Sequence, residues 1–78
     1  MRLIQIRAPR DEDADCLVRE LAVYNPRRAR REVLIELDDS SPSSLLALLT
    51  AVETCLSTNN IRSVLVELDG QRYTLALH

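Results

Sequence analysis

The fold of this chain is decided by one stretch, Ser63-Val64-Leu65-Val66-Glu67-Leu68-Asp69-Gly70-Gln71-Arg72-Tyr73-Thr74-Leu75-Ala76-Leu77. Asp69-Gly70 supplies the two positive φ angles of a two-residue type I′ turn, so the runs on either side are predicted to form a β-hairpin. The turn fixes a register in which Leu68 pairs with Gln71 and every pair further out follows in step. Glu67 then lies opposite Arg72 on one face. The other face carries Val64, Val66, Tyr73 and Leu75.

Two further strands are predicted before the hairpin, because every second residue in them is apolar. The first covers about residues 2–8 and the second residues 32–38. Their inward positions are Ile4, Ile6, Ala8, Val33, Ile35 and Leu37.

Two amphipathic helices are predicted between these strands. In the first, apolar residues recur at helical spacing after Asp11, and Asn25-Pro26 ends the helix. Its outer face is predicted to carry Glu12, Asp13, Asp15, Arg19 and Glu20. The second begins at Ser41-Pro42, where a hydroxyl caps the helix and a proline occupies its first position, and it runs to about Ser57.

The order β-α-β-α-β-β, with right-handed crossovers, predicts an α/β (α+β) two-layer sandwich. We expect one domain over residues 1–78, with a four-stranded mixed sheet, parallel first strands and both helices on one face. In element order this arrangement resembles the fold shared by the C-terminal domain of bacterial initiation factor three, the Alba chromatin proteins and the SirA-like sulfur carriers. The resemblance spans the whole chain but includes no shared motif.

The composition, 46% hydrophobic and 28% charged, is typical of a globular domain and too apolar for disorder. No apolar run approaches the roughly 18 residues that cross a bilayer, and we expect a cytoplasmic protein. Cys16 and Cys55 fall on apolar helix positions, which predicts unpaired structural thiols. SirA-like carriers place a reactive cysteine in a Cys-Pro-x-Pro motif, whereas the prolines are absent from Cys16-Leu17-Val18-Arg19.

A cluster of arginines occupies a predicted connecting loop: Arg27, Arg28, Arg30 and Arg31. Four guanidinium groups can bind phosphate oxygens, so an alternative function is RNA or nucleotide-phosphate binding. The net charge of −2 and the presence of only two aromatic residues argue against nucleic acid as a partner. A solvated loop is the favoured interpretation.

Acidic residues are predicted to collect at the opposite end of the sheet if the first two strands are parallel. Asp11, Asp38 and Asp39 are weak candidate ligands for a divalent cation there, since the carboxyl ends of parallel strands commonly bind ligands. Helix capping and dipole pairing explain these acids without a metal, and we expect no cofactor. No serine has an evident base beside it, and the single histidine is His78, so the sequence leans against an enzyme and leaves carboxylate chemistry at Asp11 and Asp38 as its only route.

Two surfaces are predicted to remain weakly charged. The second helix has Glu53 as its only charge between Pro42 and Ser57, and the sheet face opposite the helices is partly apolar. Candidate contact residues are Leu3, Leu34, Leu65 and Thr74 on the sheet and Leu46 and Thr50 on the helix. The sequence therefore favours a small non-catalytic interaction or regulatory module that binds a protein partner or a second copy of itself through either surface.

Overall fold

The computed structural model describes residues 2–37 and 42–76, which form an α+β fold with two α-helices and one sheet. The helices are α1 (Asp11–Glu20) and α2 (Pro42–Asn59), and a short 3₁₀ helix, η1 (Ala22–Tyr24), follows α1. The strands are β1 (Arg2–Arg7), β2 (Arg27–Ala29), β3 (Glu32–Leu37), β4 (Ser63–Leu68) and β5 (Gln71–Ala76). Their order in the sheet is β2-β3-β1-β4-β5, and every neighbouring pair is antiparallel.

The predicted hairpin is present with the predicted register. Leu68 pairs with Gln71 and Ser63 with Ala76, and the pairs between them follow without a bulge. Asp69 and Gly70 both have positive φ, at 53° and 79°, as a type I′ turn requires. Glu67 and Arg72 face each other as expected, with Oε2 and Nε 3.8 Å apart.

The prediction of a four-stranded mixed sheet with parallel first strands is wrong, because the sheet has five antiparallel strands. The arginine run is not a simple connecting loop. Arg27–Ala29 forms β2, and Arg30 and Arg31 lie in the turn that follows, which adds one reversal of the chain before β3. As a result β3 lies beside β1 in the antiparallel direction, with Arg2 opposite Leu37. The resemblance in element order, which assumed a mixed sheet, therefore does not extend to the observed topology.

Both crossovers through a helix nevertheless join strands that run parallel with another strand between them. α1 connects β1 to β2 across β3, and α2 connects β3 to β4 across β1. The second crossover starts from a strand of the opposite direction and moves toward the opposite edge of the sheet. These two reversals cancel, so two crossovers of the same handedness place both helices on the same face. A single buried cluster includes residues of α1, α2 and the inward positions of β1, β3 and β4.

Two side chains depart from their predicted environments. Tyr73 lies on the helix side of β5 but remains 48% exposed, because β5 is the edge strand. Asp13, predicted on the outer face of α1, is buried, and the guanidinium of Arg10 contacts its carboxylate at 3.4 Å. The buried face of α1 therefore includes an acidic residue of its first turn, which the apolar spacing alone did not indicate.

The second helix ends slightly later than predicted, at Asn59. Asn60 adopts a left-handed conformation with φ of 56°, and the Ile61 N–H donates to the Leu56 carbonyl at 2.9 Å. This is the pattern of a Schellman C-cap. The predicted cap at Ser41 lies outside the described residues. No helix in the described part of the chain combines the length and apolarity that crossing a membrane requires.

Candidate functional site

The sheet face opposite the helices carries more charge than the sequence indicated. Cross-strand pairing places Arg7 opposite Glu32 and brings Arg27 opposite Leu34. Opposite charges in facing positions stabilise a sheet modestly and keep its surface hydrated. Leu65 lies opposite Arg7 and Leu34 lies opposite Gln5, so polar side chains separate these two half-buried leucines and the face does not form one apolar patch.

The candidate contact residues of this face line two different hollows in pairs. Leu3, 48% exposed, and Leu34 line a hollow of about 390 Å³ together with Tyr24, Arg27 and Glu36. A shallow hollow of about 300 Å³ contains the other two predicted residues, Leu65 and Thr74, and includes Arg7, Pro9 and Arg31 in its lining. Leu3 and Leu34 thus share a hollow that Leu65 does not line.

A third hollow, of about 370 Å³, continues the first one around the side of the molecule. Val23, Leu37, Ser44 and Ala47 line it, and it shares Tyr24, Asn25 and Glu36 with the hollow around Leu3. Val23 is 82% exposed, the highest value for a large apolar side chain among the described residues. We call the two adjoining hollows the Tyr24 surface, lined by Leu3, Val23, Tyr24, Asn25, Arg27, Leu34, Glu36, Leu37, Ser44 and Ala47.

The conformation of η1 builds the centre of the Tyr24 surface. The N–H groups of Tyr24 and Asn25 donate to the carbonyls of Leu21 and Ala22, at 2.9 and 3.1 Å. Asn25 then adopts a left-handed conformation with φ of 53°, which directs the chain into β2. Sequence reasoning missed Val23 and Tyr24 because they follow the apolar stripe of α1 directly. Asn25-Pro26, which predicted a break, was the available signal.

The candidate residues on α2 lie away from this surface. Leu46 is 65% exposed and Thr50 is exposed, and the Thr54 hydroxyl donates to the Thr50 carbonyl at 3.0 Å. Ser44 and Ala47 are the α2 residues that line the Tyr24 surface. At 100° per residue, Leu46 lies on the opposite flank of the helix.

The four arginines do not converge on a single ligand position. Arg28 points toward α1, where its guanidinium contacts the Asp15 carboxylate and donates to the Asp11 carbonyl at 3.1 Å. Arg31 donates to the Pro9 carbonyl at 3.2 Å. Arg27 is directed to the other face of the sheet, beside Leu34, and Arg30 lies in the turn after β2 with φ of 58°.

The predicted separation of acidic and basic ends is wrong for the part of the chain that is described. Because β1 and β3 are antiparallel, the sheet has no rim formed by the carboxyl ends of adjacent parallel strands. Asp11 lies 3.7 Å from Arg28, at the same end as the arginines. Asp38 and Asp39 lie outside the described residues. Residues 2–37 and 42–76 contain no group of three or more His, Cys, Asp or Glu side chains arranged to hold a metal ion.

Both cysteines are unpaired thiols. Burial raises the pKa of Cys55, and the hydrogen bond from the Asn59 amide opposes this rise only in part. Cys16 is half-buried and accepts a hydrogen bond from Arg19 at 3.5 Å. A raised thiol pKa keeps Cys55 protonated near neutral pH and therefore unreactive.

Comparisons with protein-family models, with curated proteins and with solved structures found no match to this chain. Its function has therefore to be inferred from its own surfaces.

Proposed function

We propose that this chain is a small non-catalytic interaction or regulatory module that binds a protein partner through the Tyr24 surface. The observation that carries this proposal is the continuity of two hollows through Tyr24, Asn25 and Glu36. They join the open sheet face to α2, the two regions whose weak charge first suggested contact surfaces.

The composition of the Tyr24 surface supports a protein ligand. Its exposed apolar groups include Leu3 and Val23, while Arg27 and Glu36 supply one charge of each sign beside them. Protein interfaces typically combine an apolar centre with a polar rim in this way. Single exposed apolar residues are common on any protein, but neighbouring ones that line a shared depression indicate a contact site.

Site-specific photo-crosslinking in cells tests this proposal. A photoreactive amino acid replaces Val23, and a second version of the chain carries it at Glu12, which is exposed on α1. We expect a discrete protein adduct from position 23 and none of that mass from position 12. Equal adducts from both positions, or none from either, would refute the proposed surface.

The binding energy should depend on the apolar groups of this surface. Once the crosslinked protein is identified, Val23→Asp is expected to weaken its affinity by about tenfold or more, since a charge replaces a buried methyl contact. Leu65→Asp, at a residue that does not line the Tyr24 surface, is the matched control and should leave affinity nearly unchanged.

As part of this proposal we place the chain in the cytoplasm, because two unpaired cysteines suit a reducing compartment.

The alternative of RNA or nucleotide-phosphate binding has less support, because the Arg28 guanidinium is already paired with carboxylates of α1. Arg27 and Arg30 are the exposed members of the cluster whose side chains make neither an ion pair nor a hydrogen bond among the described residues, whereas Arg31 donates to the Pro9 carbonyl. Electrophoretic shift at low salt decides this question. Salt-sensitive RNA binding that is lost in Arg27→Ser/Arg30→Ser would support it, and equal binding by both proteins would exclude this site.

A further inference from the structure

The outer edge of β5 presents backbone groups that the sheet does not use. In a two-residue hairpin the residues next to the turn, Leu68 and Gln71, form a hydrogen-bonded pair, and bonded pairs recur at every second position. Tyr73 and Leu75 therefore bond to β4. The N–H and C=O groups of Arg72, Thr74 and Ala76 point away from it, and no described strand pairs with that side of β5.

Most features that usually protect an edge strand are missing from β5. Proteins commonly shield such edges with prolines, charged side chains, bulges or very short strands. Gln71–Ala76 is six residues long, contains no proline, carries Arg72 as its one charge near the turn, and keeps an unbroken register with β4. The strand is thus suited to pairing with another extended segment.

The helix beside this edge is also weakly charged. α2 contacts β5, and its flank opposite Ser44 and Ala47 carries Leu46, Leu49 and Glu53. Leu46 is 65% exposed, and Tyr73 on the same side of the sheet is 48% exposed. Glu53 is the only charged residue of α2. An apolar helix flank therefore borders a free strand edge.

We propose that two copies of this chain associate through their β5 strands, paired antiparallel about a two-fold axis at Thr74. The sheets of the two copies then become one continuous sheet with all helices on one side. This interface is distinct from the Tyr24 surface and goes beyond the proposed function.

The occupant is a second copy because β5 complements itself. The outward hydrogen-bonding positions are symmetric about Thr74, so Arg72 meets Ala76 of the other copy and the two arginines are kept apart. Tyr73 lies opposite Leu75 of the other copy on the helix side, in a close pair of the aromatic and aliphatic type that stabilises sheets. A strand edge alone buries less than a typical interface of roughly 1,200–2,000 Å². The α2 flanks, brought to the same side by the two-fold axis, supply additional apolar contact.

Amide hydrogen exchange as a function of protein concentration tests this pairing directly. Sedimentation should show a monomer converting to a dimer as concentration rises. The amides of Arg72, Thr74 and Ala76 should then exchange more slowly, while those of Tyr73 and Leu75 are protected at all concentrations. This alternation is specific to an added strand and is not expected from association through a helix or the open face.

Two disrupting variants and one matched control separate the interface from the fold. Thr74→Pro removes the outward N–H, which β4 does not use, and should abolish the dimer; Thr74→Val keeps the N–H and should retain it. Circular dichroism will show whether the proline disturbs the hairpin. If it does, Tyr73→Lys replaces it as the test, since a charge placed at the pairing edge should also abolish the dimer.

Four results would overturn the proposal. The first two are a monomer at every concentration and a dimer that survives both Thr74→Pro and Tyr73→Lys. The third is amide protection that rises with concentration at the Tyr24 surface and not at β5. The fourth is protection of the β5 amides only when an extended segment of another protein is added. Val23→Asp should leave self-association intact. Failure of the dimer and failure of partner binding are therefore distinguishable.

Discussion

The two edges of the sheet are held in different ways. At one edge β2 is three residues long, and the Arg28 guanidinium at its centre contacts Asp15 and the Asp11 carbonyl on α1. At the other edge β5 is twice as long, and its described ion pair, between Arg72 and Glu67, joins it only to the adjacent strand. One edge is tied to the helical layer by side chains, while the other depends mainly on the backbone ladder.

This difference bears on what each edge can bind. A short strand anchored by an arginine offers few backbone groups in a fixed direction, so it is a poor template for another strand. A longer strand without such an anchor presents a repeating set of donors and acceptors. Within the arginine run that first suggested a phosphate site, Arg28 thus has a structural role in closing this edge.

The largest expected effect comes from a residue that supports both edges. Ile6 is fully buried in the central strand, opposite Val33 on β3 and Val66 on β4. Ile6→Ala should lower the free energy of unfolding by about 2–5 kcal/mol, because it leaves a cavity in the core. Urea denaturation measures this loss, and hydrogen exchange should accelerate at β2 and β5 together. Gln5→Ala, on the open face, should cost less than about 0.5 kcal/mol. Acceleration at one edge alone would show that the edges unfold independently.

A smaller and local effect is expected at the β4–β5 turn. Gly70 has φ of 79°, and a Cβ added there would meet no atom within 4 Å. Gly70→Ala should therefore destabilise the protein through backbone strain alone, by about 1–2 kcal/mol. Amide exchange should rise in β5 and remain unchanged in β2. The control is Asp69→Asn, which suits the same turn and should be nearly neutral. Equal exchange changes at both edges would contradict the separation drawn here.

The anchor of β2 should contribute less than the turn of β5. Arg28→Gln removes the contacts with Asp11 and Asp15, and exposed ion pairs of this kind contribute about 0.2–1 kcal/mol. The loss should appear at low salt, shrink at high salt, and accelerate exchange at β2 without affecting β5. Arg27→Gln, one residue away on the opposite face, should have little effect. A salt-independent loss would point to packing of the arginine stem instead.

The hairpin was predictable from sequence because its determinants are local. Asp69-Gly70 and the flanking alternation specify the turn, the register and the faces within a short segment. β2 was not predictable in this way, because Arg27–Ala29 has no apolar alternation and is stabilised by pairing with β3 and by contacts to α1. Because the prediction lacked β2, it contained one chain reversal too few and assigned the wrong direction to β3.

The candidate site shows the same limit. Leu3 and Leu34 were predicted as exposed apolar positions, but their shared hollow depends on Tyr24, which comes from a segment between α1 and β2. Asp13 was assigned to solvent because a carboxylate on an amphipathic helix is normally exposed. The contact with Arg10 that accompanies its burial depends on how the chain enters α1, which apolar spacing does not encode.

The smallest expected effect concerns the ion pair on β5 itself. Arg72 and Glu67 face each other with Nε and Oε2 3.8 Å apart, and both side chains are substantially solvated. A double-mutant cycle with Arg72→Gln and Glu67→Gln should give a coupling of less than about 0.5 kcal/mol in urea denaturation. Exchange of the β5 amides should then stay close to wild type, since the backbone ladder and the contact of Leu75 with the core hold the strand. A coupling as large as that of Arg28 with Asp15 would mean that β5 is also anchored by charge, and the two edges would differ in length alone.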